Sequence, residues 1–218
     1  MTTSSPTGVD PRFNRDVFIV DQPFTLFVNR YFVYEAADAE YAPGPLLAFC
    51  RQKPFALKED LLVFSDDTMS EEILRIKARR VVDIGGRYIV TTPDGTVVGA
   101  LQRRAKASLL ITTWVLVGAD DQELAVVRES SVPVAVFRRV QNLLQAIPLI
   151  GGIVSLLLDL IPIPYHFDIL DGDAAVGRHS RKTGIRDRYR LHIDDPQHRI
   201  DRRLLVALGI GLDALQSR

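Results

Sequence analysis

The residues of this 218-residue chain that could do chemistry are four histidines, one cysteine and several runs of arginine. The histidines are His166, His179, His192 and His198. None stands at a metal-ligand spacing from a second histidine or from Cys50. His192 alternates with Leu191 and Ile193, which places it on the outer side of a strand. No nucleophile elbow and no phosphate-cradling glycine loop occurs. Gly209-Ile210-Gly211 lies inside an apolar run and needs no phosphate to explain it. Cys50 stands beside Arg51, as a reactive thiol would, but a buried structural cysteine is the preferred reading. Trp114 and Tyr88 read as core or wall aromatics. The expectation is a protein with no catalytic residue, no metal and no cofactor.

That leaves the charges. Lys plus Arg equals Asp plus Glu at 27 each, and 47% of the residues are hydrophobic. A balanced chain is not a globally basic nucleic-acid binder, so any electrostatic function must come from arrangement. Basic clusters are Arg79-Arg80, Arg103-Arg104 with Lys106, and Arg178 with Arg181-Lys182 and Arg186. Between them come Asp66-Asp67 with Glu71-Glu72, Asp120-Asp121 with Glu123, Asp171 with Asp173, and Asp194-Asp195. The acidic groups lack the spacing of a calcium loop and double as ordinary turn residues.

The clusters punctuate a repeat: apolar strand, basic stretch, apolar strand, acidic or Gly-containing turn. Its clearest copy runs Leu74-Arg-Ile-Lys-Ala-Arg-Arg, then Arg87-Tyr-Ile-Val-Thr, then Pro93-Asp-Gly. Neighbouring copies start at Leu47 and Val98, and flanking ones at Val17 and Ala175. Another starts at Leu124 and is interrupted. Anchors Phe49, Ile76, Leu101 and Val127 stand 27, 25 and 26 residues apart. Leu74, Ile76 and Ala78 alternate with Arg75, Lys77 and Arg79, the two-residue period of a half-buried strand. Six copies give about twelve strands. Closing the sheet into an antiparallel barrel removes its edges; an open sandwich is the alternative.

Leu204–Leu212 has no polar side chain, with Asp201 placed to cap it as a helix. Nine residues span about 14 Å, too short for a bilayer core of roughly 30 Å. A helix apolar on every side must then be buried in protein, and a wide barrel needs filling. Gly209 and Gly211 weaken the helix unless close walls hold it.

With the repeated units at 47–67, 74–95, 98–121 and 175–195 followed by this helix and Asp213, the chain resembles the tubby C-terminal-like superfamily. The LURP-one-related and phospholipid scramblase-like proteins are its nearest counterparts there. The resemblance covers roughly residues 17 to 215 and implies a twelve-stranded barrel around a hydrophobic C-terminal helix. It also implies non-enzymatic work near membranes or phosphoinositides. The Pro-rich region and cysteine cluster of scramblases are missing, which argues against scrambling itself.

Residues 1–12 are rich in Ser, Thr, Pro and Gly. They read as a disordered lead-in rather than a signal peptide. Residues 13–218 then form one barrel domain with a central helix at 200–215 and an insertion at 132–164. The insertion reads as a helical hairpin. Phe137, Val140, Leu144 and Ile147 share one face, with Arg138 and Arg139 away from it, and a second apolar stretch includes Ile150, Leu156 and Leu157. It could fold on the barrel wall, form a homodimer interface through 137–161, or dip into a membrane interface.

In an up-and-down barrel the basic stretches all fall on one rim and the acidic turns on the other. The candidate contacts for an anionic membrane surface or phosphoinositide are Arg79, Arg80, Arg103, Arg104, Lys106, Arg138, Arg139, Arg181 and Lys182. Those for a membrane interior or partner are Phe137, Leu144, Ile150, Leu156 and Leu157. Solvated loop charges with no partner are the plain alternative. A single cysteine suits a reducing compartment, so the expected location is cytoplasmic, with peripheral membrane association. The other function class weighed is a soluble protein-interaction module whose hairpin is the interface.

Overall fold

A computed structural model of the chain describes residues 10–23, 28–52, 60–79, 86–104, 113–130, 166–182 and 187–215. The helical hairpin expected at 132–164 lies outside these residues, as do Arg80, Lys106, Arg138, Arg139, Phe137, Leu144, Ile150, Leu156 and Leu157. Among the described residues are twelve strands: β1 (Val17–Gln22), β2 (Asn29–Ala36), β3 (Pro43–Gln52), β4 (Asp60–Phe64), β5 (Glu72–Ala78), β6 (Arg87–Thr91), β7 (Val97–Arg104), β8 (Thr113–Gly118), β9 (Glu123–Glu129), β10 (His166–Asp171), β11 (Ala174–Lys182) and β12 (Asp187–Ile193). One helix follows, α1 (Arg202–Ala214). A 3-10 turn at Pro11–Phe13 precedes β1 and buries Phe13.

Each strand pairs antiparallel with the next, and β12 pairs back onto β1, closing the barrel. Alternation drives this. Phe18 and Val20, Tyr31 and Val33, Leu74 and Ile76, Trp114 and Leu116, and Phe167 and Ile169 point inward to a single core. Closure leaves no edge strand to template aggregation.

The core is completed by α1. Leu204 through Leu212 are all buried, at 4% exposure or less for each hydrophobic side chain among them. Thirteen residues span about 20 Å, enough to fill the lumen. Its glycines allow the fit: a Cβ on Gly209 would stand 3.0 Å from Val20 Cγ2, and one on Gly211 3.0 Å from Leu101 Cδ1. Asp201 caps the helix, accepting a hydrogen bond from the Arg203 backbone N–H at 2.8 Å.

Because consecutive strands are neighbours, connections alternate between two ends. The acidic end carries residues 37–42, 65–71, 92–96, 119–122 and 172–173. The opposite, basic end is where β1, β3, β5, β7, β9 and β11 finish. Helix α1 enters at the acidic end, where Arg202 meets Asp16 and Asp195, and finishes at the basic end, where Asp213 meets Tyr31 and Tyr189.

Candidate functional site

Of the residues expected to hold anionic lipid, Arg79, Arg103, Arg104, Arg181 and Lys182 are described, and all stand where β5, β7 and β11 finish. The topology therefore brings them to one end. Arg79, Arg103, Arg104 and Lys182 are exposed, and Arg181 is half-buried.

The expected charge separation between the ends is much reduced. Carboxylates on neighbouring strands and on the hairpin between β8 and β9 neutralise arginines along the outer wall. Arg104 pairs with Glu123, Arg87 with Asp121, and Arg181 with Asp187. Arg178 pairs with Asp168 at 2.8 Å and Arg188 with Asp21 at 3.2 Å. Tyr41, from the connection between β2 and β3, donates its hydroxyl to Ser180 Oγ at 3.0 Å. Its ring lies 5.6 Å below the Lys182 ammonium. The exposed pair Arg104–Glu123 contributes little stability, about 0–1 kcal/mol. The larger effect of these contacts is on the outer potential: Arg104, Arg181 and Lys182 are already engaged.

Four arginines near this end, in two groups, form no ion pair within 4 Å among the described residues. The first group is Arg79 and Arg103. The Arg79 backbone N–H donates to the Arg87 carbonyl at 2.8 Å, and the Arg103 N–H to the Gly86 carbonyl at 3.0 Å. The two arginines thus flank the entry to β6. Gly86 holds φ +48°, a left-handed conformation suited to glycine, with the Tyr88 ring and Arg103 Cβ close to where a side chain would begin.

The second group is Arg30 and Arg51. Both are exposed and stand directly opposite each other in the ladder between β2 and β3. Directly opposed residues carry their Cβ atoms about 5 Å apart, and like charges there are destabilising. Sequence reasoning left this pair out of the site. The signal was present, since Arg51 belongs to a basic stretch of the repeat, but its partner follows only from strand register. Beneath the pair, Phe32 packs on Phe49 with ring centroids 4.9 Å apart.

Inside the same end lies a buried polar cluster. Tyr31 and Tyr189 donate their hydroxyls to the two oxygens of Asp213 at 3.0 and 3.2 Å. Burial pushes the Asp213 carboxyl above the ordinary carboxylate range, and pushes both tyrosines up as well. His179, from β11, stacks on Tyr189 with centroids 4.9 Å apart. Burial holds its pKa down at about 3, so the imidazole is neutral. Cys50 is buried as expected, its thiol pushed up to about 12 by desolvation. Such a thiol is protonated and inert. The described residues contain no group of three or more His, Cys, Asp or Glu side chains that could hold a metal, and no helix long and apolar enough to cross a membrane.

What the site offers, then, is exposed arginines around one mouth of a barrel whose lumen is filled by protein. Neither a curated protein nor a solved structure matches the chain. A family model described as LURP-one-related matches residues 47–213. That span runs from β3 through the plug helix to Asp213, most of the wall and nearly all of its filling, and on it the chain belongs to the LURP-one-related family.

Proposed function

We propose that this barrel is a non-enzymatic protein that docks by its basic end on an anionic membrane surface. The observation that carries the reading is the opposed pair Arg30 and Arg51, exposed and outside any ion pair among the described residues. A pair that costs stability when empty is relieved when a phosphate or carboxylate sits between the two guanidiniums, which suit bidentate oxyanion contacts. Arg79 and Arg103 finish on the same end and add to the attraction. Near an anionic leaflet each such cation contributes about 1 kcal/mol. Strand β9 finishes and β10 begins at that end, and the apolar stretches of the intervening sequence, at 137–161, would add buried area to the electrostatic term.

The test is flotation with neutral and with anionic liposomes. Charge reversal of Arg30, Arg51, Arg79 and Arg103 to Glu should weaken binding by about 4 kcal/mol or more, on the order of a thousandfold. Arg104→Glu, at an arginine already paired, should cost far less. Equal flotation on neutral and anionic vesicles, or none on either, sinks the proposal. In that event a dimer seen by light scattering, lost on Leu156→Ser with Leu157→Ser, would direct attention to a protein interface instead.

A further inference from the structure

The outer wall of β2–β4 carries a row of aromatic side chains. Tyr31, Val33, Ala48, Cys50 and Val63 belong to the core inside the barrel. Phe32, Phe49 and Phe64 alternate with them and therefore face outward. Register sets the three side by side across the wall, Phe32 opposite Phe49 and Phe49 opposite Phe64. Phe49, 3% exposed, is the base of the row. The Phe32 ring lies 4.9 Å from it, centroid to centroid. Tyr34, the next outward residue of β2, stacks on Phe32 at 6.2 Å with the two rings 14° from parallel. Phe32, Tyr34 and Phe64 are each half-buried, so part of every ring meets solvent.

The row ends on the opposed arginines. Arg30 stands two residues before Phe32, and Arg51 two residues after Phe49, on the same outward face. Two residues of strand span about 7 Å, so the guanidiniums border the rings directly. Neither arginine is in an ion pair among the described residues. One patch of wall thus joins wet aromatic surface to unmatched positive charge. A polyanion in solution would meet the arginines and leave the rings wet. A neutral bilayer would cover the rings and leave the arginines without a counter-charge. An anionic bilayer interface offers both, with phosphates above acyl chains. Rings settle at that level, and the apolar arginine stems let the guanidiniums reach back to the phosphates.

We infer that the barrel lies on its side on an anionic membrane, through the wall of β2–β4. Phe32, Tyr34 and Phe64 enter the interfacial layer, and Arg30 and Arg51 hold lipid phosphates. This rests on the membrane docking proposed above and adds its orientation. A barrel standing on its basic end holds all its strand ends at one depth. A barrel on its side presents β2–β4 and lifts the opposite wall away from the lipid.

The test places one tryptophan on each side of the full chain. Phe32→Trp reports from the docking wall. Arg128→Trp reports from exposed Arg128 on β9, near the same end of the barrel. Strand β9 is six strands from β3 in the twelve-strand wall, the farthest it can be. The native Trp114 is 1% exposed in the core, out of reach of lipid. On phosphatidylglycerol–phosphatidylcholine vesicles with brominated acyl chains, Phe32→Trp should lose most of its added emission and Arg128→Trp none. Phe32→Ser, compared where it stays folded, should also weaken flotation roughly tenfold, and undiminished flotation overturns the inference. Quenching alike in both tryptophan variants, in Arg128→Trp alone, or in neither while flotation persists, overturns the side-on contact and leaves membrane docking standing. Absence of flotation by the unsubstituted chain overturns both.

Discussion

The two ends of α1 lie in the same barrel and are comparably buried, yet their polar atoms are treated in opposite ways. At the acidic end Arg202 is 5% exposed. It donates to Asp16 Oδ1 at 3.1 and 2.6 Å, to Asp195 Oδ2 at 3.2 Å, and to the carbonyls of Ile200 and Asp195 at 2.9 and 3.2 Å. Asp195 in turn accepts the Ile200 backbone N–H at 2.9 Å. Every guanidinium nitrogen is used. At the basic end Gln22, Gln52 and His179 keep buried polar atoms without partners. A saturated network rigidifies and specifies one arrangement, whereas an unsaturated one is costly unless something else completes it. The acidic end therefore locks the plug, while the basic end leaves buried polar atoms unmatched.

The comparison can be broken most sharply at the lock. Arg202→Ala leaves buried Asp195 with only the half-exposed Arg199, at 3.9 Å, and should cost about 3 kcal/mol, read as a lower urea midpoint. A loss under 1 kcal/mol would show that Arg202 does not hold the helix.

At the other end the largest effect is a pH response. His179 has its folded pKa lowered from 6.5 to about 3. The folded state therefore prefers the neutral ring. This contribution is complete above pH 6.5 and is lost as pH falls toward 3, by up to about 1.4 kcal/mol per pH unit. His179→Phe should flatten the stability profile in that window, and an unchanged slope would remove His179 as its cause.

Asp213 gives the opposite sign. Its folded pKa is raised above 3.8, so its stabilising share is present below that value and lost as pH rises through the folded pKa. At neutral pH, Asp213→Asn should raise stability, on the order of 1 kcal/mol. The same change at the acidic end, Asp195→Asn, should lower it. Two changes of like sign would mean that the ends do not differ.

The smallest effect belongs to the wall between them. Arg178→Ala removes an exposed pair with Asp168 and should change stability by about 0.5 kcal/mol or less. A larger loss in urea unfolding would make the wall pairs, rather than the two helix ends, part of what holds the barrel.

Much of this architecture was legible in the residues. Period-two alternation at Leu74, Ile76 and Ala78 marked a strand, and its recurrence marked a barrel. The apolar run after Asp201 marked a plug, down to the glycines that let it approach the wall. Register was less legible. Phe49, taken as an anchor equivalent to Ile76, sits outside the main core cluster, and its neighbour Cys50 points inward. The ladder between β2 and β3 shifts at Val33 and Tyr34, and a shift of one residue exchanges faces. The site suffered for the same reason. Arg104 and Arg181 looked free because their partners Glu123 and Asp187 come from other strands, while Arg30 was passed over because Arg51 lies across a ladder.

The sequence by itself determined the order of the strands, the end on which each charged stretch emerges and the helix that fills the lumen. These follow from alternation, connection order and a run with no polar side chain, all local properties of the chain. Tertiary structure alone decided which charges are spent and which polar atoms go without partners. Tyr31 meets Asp213 across 182 residues of chain, and Arg188 meets Asp21 across 167. Such pairings exist only once the barrel has closed, because hydrogen bonds and ion pairs depend on distance and angle between groups that no spacing rule connects.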